Sequence, residues 1–202
     1  MIIYFLIGSI GGLLSGILGI GGGVVFVPLL TYLTKTDFKT NTGISSLAVV
    51  FVATGSSITY IINDFSSGTN LVFEIFIIII GGIIGGYFGS KLTAKINTQL
   101  LKKIFSILLI ASAYRIIFST DVTATYEDNI VLYLLIGLVS GIGSGLLGIG
   151  GGIIRIPMLI FFGGFEQIIA QGISLITTIP TALTAAATKI RKENNLLKIG
   201  LI

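Results

Sequence analysis

The sequence predicts an all-α protein that crosses a membrane several times, and three observations support this fold class. Of the 202 residues, 53% are hydrophobic and only 10% are charged, whereas soluble domains carry about 25% charged residues. The mean hydropathy is +1.06. The apolar residues occur in runs of about 20, the length at which a helix crosses a bilayer. A water-soluble fold with so few charges would expose large apolar patches, so lipid must solvate much of the surface.

Six segments have the length and composition of membrane-spanning helices. In chain order they are Ile2–Ile20, Asn41–Ile62, Leu71–Leu92, Leu100–Phe118, Ile130–Ile149 and the threonine-rich Glu166–Thr188. The first segment has no basic residues ahead of it and its apolar run is long, so we expect a membrane helix there rather than a cleaved signal peptide. The protein is therefore expected to be a multi-pass protein of the cell (inner) membrane, with the lipid bilayer as its surroundings.

Two shorter apolar segments, Val24–Leu33 and Ile153–Phe162, each follow a triple glycine and contain one proline. At about 1.5 Å per residue, each would reach only about halfway across the bilayer. This length predicts short or re-entrant helices. Pro28 and Pro157 are expected to end or kink these helices, with a consequence for gating.

An internal repeat relates the two halves of the chain by a shift of 129 residues, without a gap. The matches include residues that are not interchangeable with aliphatic ones: Gly8 with Gly137, Gly12 with Gly141, Ser15 with Ser144, Gly16 with Gly145, Pro28 with Pro157, and Gly43-Ile44-Ser45 with Gly172-Ile173-Ser174. Duplication explains them. We expect a first membrane repeat at 1–118, an extracytoplasmic loop at 119–129, and a second, truncated membrane repeat at 130–202.

The distribution of Lys and Arg predicts the orientation of the two repeats, because basic loops stay on the cytoplasmic side. The loops at Lys91–Lys103 and Lys189–Lys198 are basic and are predicted inside. The loop Ser119–Asn129 and the loop that holds Asp64 have no basic residue and are predicted outside. The Asp64 loop and the Lys189–Lys198 region are repeat counterparts. The sequence therefore predicts an inverted repeat, with the second repeat incomplete.

The residue types exclude several classes of protein. The chain has no Cys and no His, so it can form no disulfide, no thiolate or imidazole metal site and no His-based catalytic dyad or triad. No nucleotide-binding motif is present. The basic residues lie in a few loops and not in a patch interleaved with aromatic residues, which argues against nucleic-acid binding. We expect neither an enzyme nor a bound cofactor or metal.

Two stretches carry a resemblance to a known family. GLLSGILGIGGGVVFVPLL, beginning at Gly12, and GLVSGIGSGLLGIGGGIIRIPMLI, beginning at Gly137, resemble the paired signature of the TauE/SafE sulfite exporter family. The resemblance covers both halves of the chain. It implies a membrane carrier of sulfur oxyanions, organosulfonates or related small organic anions, without a cofactor or an ATPase domain. The chain is shorter than is usual for that family.

The glycine turns are candidate substrate-binding sites for a reason that does not depend on the resemblance. The residues are Gly21, Gly22 and Gly23 in the first half and Gly150, Gly151 and Gly152 in the second. Each triple glycine precedes a short helix, and helix N-termini carry unpaired N–H groups and a partial positive charge. Glycine also lets an anion approach the backbone closely. In an inverted repeat, the two turns are expected to meet near the membrane midplane.

Polar side chains add further candidates. Arg155 is the only charged residue in either short segment and aligns with Phe26. Its permanently charged fork suits an oxyanion. The alternative is a structural partner, either free helix carbonyls or a carboxylate such as Glu166, which lies beyond the end of the same segment. Ser45 and Ser174 can donate hydroxyl groups to an anion or can bridge helices. Weaker candidates of the same kind are Asn41, Thr42, Ser46, Gln171, Thr177 and Thr178.

Other features have a structural interpretation. Glycines spaced by four residues permit close packing of helices; they are Gly8, Gly12 and Gly16, their counterparts Gly137, Gly141 and Gly145, and Gly81, Gly85 and Gly89. Glu74 and Arg115 lie near predicted helix ends and are expected at the membrane interface.

The leading hypothesis is a secondary transporter of small anions, most simply sulfite or a related sulfur oxyanion or organosulfonate. The alternative is a non-transporting membrane scaffold or assembly subunit, because the second repeat lacks counterparts of Leu71–Phe118. Either the chain is a shortened form, or another subunit supplies the equivalent surface, which leaves a homo-oligomer open.

Overall fold

The computed structural model describes residues 2–18, 21–34, 36–63, 71–118 and 129–191. These residues form eight α-helices and no strand. The helices are α1 (Ile2–Leu18), α2 (Gly23–Leu33), α3 (Phe38–Asn63), α4 (Val72–Lys95), α5 (Thr98–Phe118), α6 (Ile130–Leu147), α7 (Gly152–Gly163) and α8 (Gln167–Ile190). The predicted all-α fold is confirmed, and each predicted segment corresponds to one helix.

Four helices in the described ranges are long and apolar enough to cross a membrane: α3, α4, α6 and α8. This confirms a multi-pass membrane protein. The sequence also predicts that α1 and α5 cross, and this stays a prediction. α1 has 17 residues, about 25 Å at 1.5 Å per residue, and α5 carries Lys102 and Lys103 near its start. The predicted short helices are α2, with 11 residues, and α7, with 12.

The order of helices repeats at the spacing found in the sequence. α2 begins at Gly23 and α7 at Gly152, and α3 begins at Phe38 and α8 at Gln167; both pairs of starts are 129 residues apart. α1 and α6 are the third pair. A counterpart of α4 would begin at residue 201, outside the described residues. The boundaries at 1–118, 119–129 and 130–202 stay a prediction.

Glycines bring α4 and α6 into backbone contact. A Cβ on Gly141 would lie 2.5 Å from the carbonyl oxygen of Gly82, and a Cβ on Gly145 would lie 2.6 Å from the amide nitrogen of Ser90. A Cβ on Gly85 would overlap the carbonyl oxygen of Leu138. Along this contact, the residue numbers increase in the same direction in both helices, so α4 and α6 run parallel. The predicted packing role of these glycines is confirmed.

The equivalent glycines of α1 behave differently. A Cβ on Gly8 would meet no atom within 4 Å, and a Cβ on Gly12 would meet only Val52, at 3.9 Å. The prediction of close packing is therefore wrong for Gly8 and Gly12, because none of the described helices covers this face as α4 covers α6. The surroundings of Gly16 lie outside the described part of the chain.

The two short helices, α2 and α7, run from the glycine turns to opposite ends of the bundle. We call the end at which α4 ends, near Lys91 and Lys95, the lysine end. α2 leads to the lysine end, where buried side chains of α2, α3, α5 and α6 cluster: Val27, Phe38, Leu101, Phe105 and Leu147. α7 leads to the other end, where side chains of α6, α7 and α8 cluster with the residue that precedes α4: Leu71, Tyr133, Leu159 and Ala170.

The repeat counterparts α3 and α8 run antiparallel. Thr42, near the start of α3, bonds Lys189, near the end of α8. Further along, Val49 of α3 and Ala182 of α8 pack in the same cluster of buried residues. How the two halves are oriented across the membrane stays a prediction.

Candidate functional site

Both glycine turns depend on a left-handed backbone that favours glycine. The helix caps Gly22 and Gly151 have φ of 78° and 86°, and the residues before them, Gly21 and Gly150, have φ of 86° and 77°. The carbonyl oxygen of Gly151 accepts hydrogen bonds from the amides of Ile154 and Arg155, at 3.1 and 2.9 Å. No side chain caps either helix. The N–H groups in the first turn of α2 and α7 therefore lack the carbonyl acceptor that a preceding helical turn would supply, as at any helix N-terminus.

The two turns touch, whereas their predicted position near the membrane midplane stays a prediction. A Cβ on Gly23 would lie 2.6 Å from the carbonyl oxygen of Gly148. Gly21 and Gly150 both face the same two side chains, those of Val49 and Thr178. These two side chains are themselves 129 residues apart. The repeat therefore relates the two turns and also the pair of residues that lies between them.

Arg155 has the largest fully buried side chain among the described residues, with 0% exposure, and its hydrogen-bond partners lie in the second half of the chain. Its Nε donates to Ser140 Oγ at 3.0 Å. Its Nη1 donates to Thr177 Oγ1 at 2.7 Å, to Thr178 Oγ1 at 3.2 Å and to the carbonyl oxygen of Ser174 at 3.2 Å. α6 and α8 thus hold the guanidinium beside the Gly151 turn, where a Cβ on Gly151 would lie 3.3 Å from Nη2.

Every described partner of Arg155 is neutral. Nη2 carries two N–H groups, yet its one bond to a described residue is long, 3.4 Å to Thr181 Oγ1. Of the structural partners considered from the sequence, Glu166 is exposed and does not bond Arg155, whereas one helix carbonyl, that of Ser174, does. Burying a charge without a counter-ion costs several kcal/mol. Within the described residues, the positive charge of Arg155 is therefore uncompensated.

The two candidate serines differ although the repeat relates them. Ser45 Oγ donates to the carbonyl oxygen of Gly148 at 2.7 Å, so it ties α3 to the second turn. Ser174 Oγ is buried without a partner, and its own carbonyl oxygen accepts from Arg155. Ser174 has the available hydroxyl group, whereas the hydrogen bond of Ser45 has a structural purpose.

Sequence reasoning missed several polar residues of this region. Ser140 and Thr181 bond Arg155 directly. The signal for Thr181 was present, because Ser174, Thr177, Thr178 and Thr181 lie on one face of a helix. Ser140 lies on another helix and no pattern pointed to it. Ser15 and Ser144, which the repeat relates, also have buried hydroxyls without a partner.

The two proline candidates lie inside the short helices, and Glu74 lies at the start of a long one. Pro28 and Pro157 lie inside α2 and α7, which continue to Leu33 and Gly163. The expectation that they end these helices is therefore wrong, whereas a kink and a gating role stay predictions. Each proline does remove one helix hydrogen bond. Glu74 lies in the first turn of α4, as expected, with one carboxylate oxygen buried and unbonded.

The other polar candidates mostly serve the backbone or one another. Ser46 Oγ donates to the carbonyl oxygen of Thr42, and Asn41 bonds Thr31 and Thr36. Gln171 lies in α8 and is half-buried. Arg115 lies in α5, but its side chain is outside the described part of the chain.

Comparison with known proteins agrees with this architecture. The family described as "Sulfite exporter TauE/SafE" matches residues 1–116 and 127–202. The probable membrane transporter protein MJ0441 of Methanocaldococcus jannaschii is 35% identical over 161 residues, covering 76% of this chain and 59% of that protein. The probable membrane transporter protein YunE of Bacillus subtilis is 24% identical over 217 residues, covering 93% of this chain and 77% of that protein.

A third relative, a probable membrane transporter protein of Haemophilus influenzae, is 28% identical over 173 residues, covering 79% of this chain and 62% of that protein. The chain thus spans about three fifths of the length of two of these relatives. No solved structure matches it. Since the family match extends over nearly the whole sequence, the chain belongs to the sulfite exporter TauE/SafE family, a family of multi-pass membrane transporters and not of enzymes.

Proposed function

We propose that this protein is a secondary transporter of a small anion in the cell (inner) membrane, and that the anion is sulfite or a related sulfur oxyanion or organosulfonate. One observation carries the proposal: Arg155 is fully buried and is held only by neutral groups among the described residues. Arg stays protonated at any physiological pH. The missing counter-charge is therefore supplied by the substrate.

The surroundings of Arg155 favour an oxyanion over a halide. Nη2 of Arg155 carries two N–H groups and forms only one long bond among the described residues, so it can donate to a ligand oxygen in a fixed direction. The unbonded hydroxyl of Ser174 lies on the helix that also holds the guanidinium, and the first amides of α7 point toward the Gly151 turn. A tetrahedral or pyramidal anion offers several oxygens to these donors, whereas a spherical ion offers one centre.

The arrangement of helices supports a carrier in which the two repeats expose the site alternately. Two observations favour the inverted repeat that such carriers use. The counterparts α3 and α8 run antiparallel. The short helices α2 and α7 lead from the touching turns to opposite ends of the bundle. Substrate would then reach the turns from either side of the membrane.

Flux into liposomes tests the proposal directly. We expect purified, reconstituted protein to carry sulfite or a sulfonate, and to carry neither choline nor glucose. Arg155→Phe, which copies Phe26 of the first repeat, is the matched variant and should have little flux although the protein inserts. An anion flux that Arg155→Phe leaves unchanged would refute the proposed site.

A membrane scaffold or assembly subunit is the second candidate, and one observation favours it. None of the described helices covers the face of α1 around Gly8, whereas the counterpart face of α6 is in contact with α4 along its length. An uncovered glycine face can dock another helix. Folded protein that carries no anion of the panel would support this second function.

A further inference from the structure

Lys189 is a second buried cation, and the sequence had placed it in a basic loop. It lies in the last turn of α8 with 8% exposure. Its neighbours in the same basic region of the structure, Lys91, Lys95 and Arg191, are exposed. A lysine near a helix end normally extends its side chain toward water. The side chain of Lys189 instead turns inward, between α8 and α3.

The partners of Lys189 are neutral and belong to one residue. Nζ donates to Thr42 Oγ1 at 3.0 Å and lies 3.4 Å from the carbonyl oxygen of Thr42. An ammonium group has three N–H donors. No carboxylate of the described residues bonds it. The hydroxyl of Thr42 is already engaged as a donor, to the carbonyl oxygen of Lys39 at 2.7 Å, so Thr42 contributes no negative charge.

Thr42 links Lys189 to the glycine turns. The backbone of Thr42 packs against Gly148, where a Cβ would lie 2.8 Å from the carbonyl carbon of Thr42. Gly148 ends α6 and leads into the second turn. The other side of this turn faces Arg155. One glycine turn therefore has a buried cation on each flank, neither with a carboxylate partner among the described residues, and the Lys189 flank is the one toward the lysine end.

We propose that Lys189 is a second anion-binding station for the same oxyanion, between the Arg155 site and the lysine end of the protein. This proposal rests on the proposed function. The two stations have different chemistry: the guanidinium of Arg155 presents N–H groups in fixed directions on a planar frame, whereas an ammonium is a compact charge without such geometry. An anion leaving Arg155 toward the lysine end then reaches a cation that holds it with less geometric constraint.

Sided flux measurements test the station. In Lys189→Met the chain keeps a long apolar side chain but loses the charge. We expect the half-saturating anion concentration to rise at least tenfold on the face of the lysine end and to stay within twofold on the opposite face. Lys189→Arg should restore most of the affinity. Lys91→Met is the matched control, because Lys91 is exposed at the same end, and both faces should be unchanged.

Thermal unfolding separates binding from a structural role. Removing a buried charge without a counter-ion should leave the melting temperature of Lys189→Met unchanged or higher. A lower melting temperature together with equal losses on both faces would show that Lys189 only holds α8 to α3. Glu193 lies outside the described residues; if Glu193→Gln reproduces the loss of Lys189→Met, the lysine is ion-paired and the station is refuted.

The two proposals fail in different ways. Flux that depends on Arg155 but is unaffected by Lys189→Met on either face would overturn the station and leave the proposed function standing. Flux that is independent of Arg155, or no anion flux in the unaltered protein, would overturn both.

Discussion

At the scale of single residues, Arg155 decides what the site can bind. The sequence predicted its importance because a lone charge in a short apolar segment is costly. The structure adds that its described partners are neutral and that α4, α6 and α8 enclose it. Its guanidinium is therefore positioned by the protein but not neutralised by it.

Two substitutions of Arg155 should distinguish how much its positive charge and how much its planar hydrogen-bonding geometry contribute to anion binding. Arg155→Lys keeps the charge but loses the planar guanidinium, so we expect anion binding to weaken about tenfold, which corresponds to the loss of one charge-assisted hydrogen bond of about 1.5 kcal/mol. Arg155→Phe should nearly abolish binding. Equilibrium binding of sulfite to detergent-solubilised protein measures both variants. Equal affinity in well-folded Arg155→Phe would assign the arginine a purely structural role.

The serine pair offers a matched comparison. Ser174→Ala removes a hydroxyl without a protein partner, so we expect weaker anion binding and unchanged stability. Ser45→Ala removes the bond to Gly148 and should lower the free energy of unfolding by about 1 kcal/mol. Binding and thermal unfolding of both variants check this. If Ser174→Ala destabilises the protein as much as Ser45→Ala does, its hydroxyl is structural.

Substituting the glycines of the turns is a weak test of the anion site. Gly22→Val and Gly151→Val would fill the space of an anion bound at the turns and should stop transport. Because φ is positive at both positions, valine is strained there whatever the site binds. A Cβ on Gly22 would also lie 2.7 Å from the Phe26 ring. Loss of flux would therefore not identify the anion site, although normal flux in both variants would still exclude it.

At the scale of helices, the same glycine pattern has two outcomes. Gly137 and Gly8 are repeat counterparts, yet a Cβ on Gly137 would lie 3.0 Å from the amide nitrogen of Gly82 and overlap the carbonyl oxygen of Ile78, whereas a Cβ on Gly8 meets nothing. The four-residue spacing of glycines predicts which face of a helix carries only small residues. It cannot predict whether a neighbour covers that face, because this depends on helices elsewhere in the chain.

This difference predicts opposite effects of one substitution. Gly137→Ala should separate α6 from α4 and lower the melting temperature markedly. Gly8→Ala should leave it unchanged or raise it slightly, because alanine favours a helix over glycine by up to about 1 kcal/mol. Thermal unfolding of both variants in the same detergent is the measurement. Strong destabilisation by Gly8→Ala would reveal that another helix covers α1.

At the scale of the whole molecule, the sequence predicted the helices well and the side-chain directions less well. Long apolar runs and the 129-residue repeat were sufficient to locate the helices, because lipid imposes their length. Lys189 was misplaced because the count of basic residues gives the side of a loop and not the direction of one side chain. Ser140 was missed because its approach to Arg155 depends on how α6 and α7 pack.

The orientation of the repeats can be tested in a chain without native cysteines. We expect single cysteines at Lys95 and Lys198 to react with an impermeant reagent from one side of the membrane, and a cysteine at Glu127 from the other. Reaction of all three from the same side would contradict the inverted repeat.

The parallel contact between α4 and α6 has a consequence for biogenesis. The ribosome completes α4 at Lys95 and α6 only at Leu147, an interval of about 3 to 10 s at 5 to 20 residues per second. During that time the glycine face of α4 has no α6 of its own chain to meet. Newly made chains close together in the membrane could then exchange α6, so slow translation across this interval should favour swapped dimers over correctly assembled single chains.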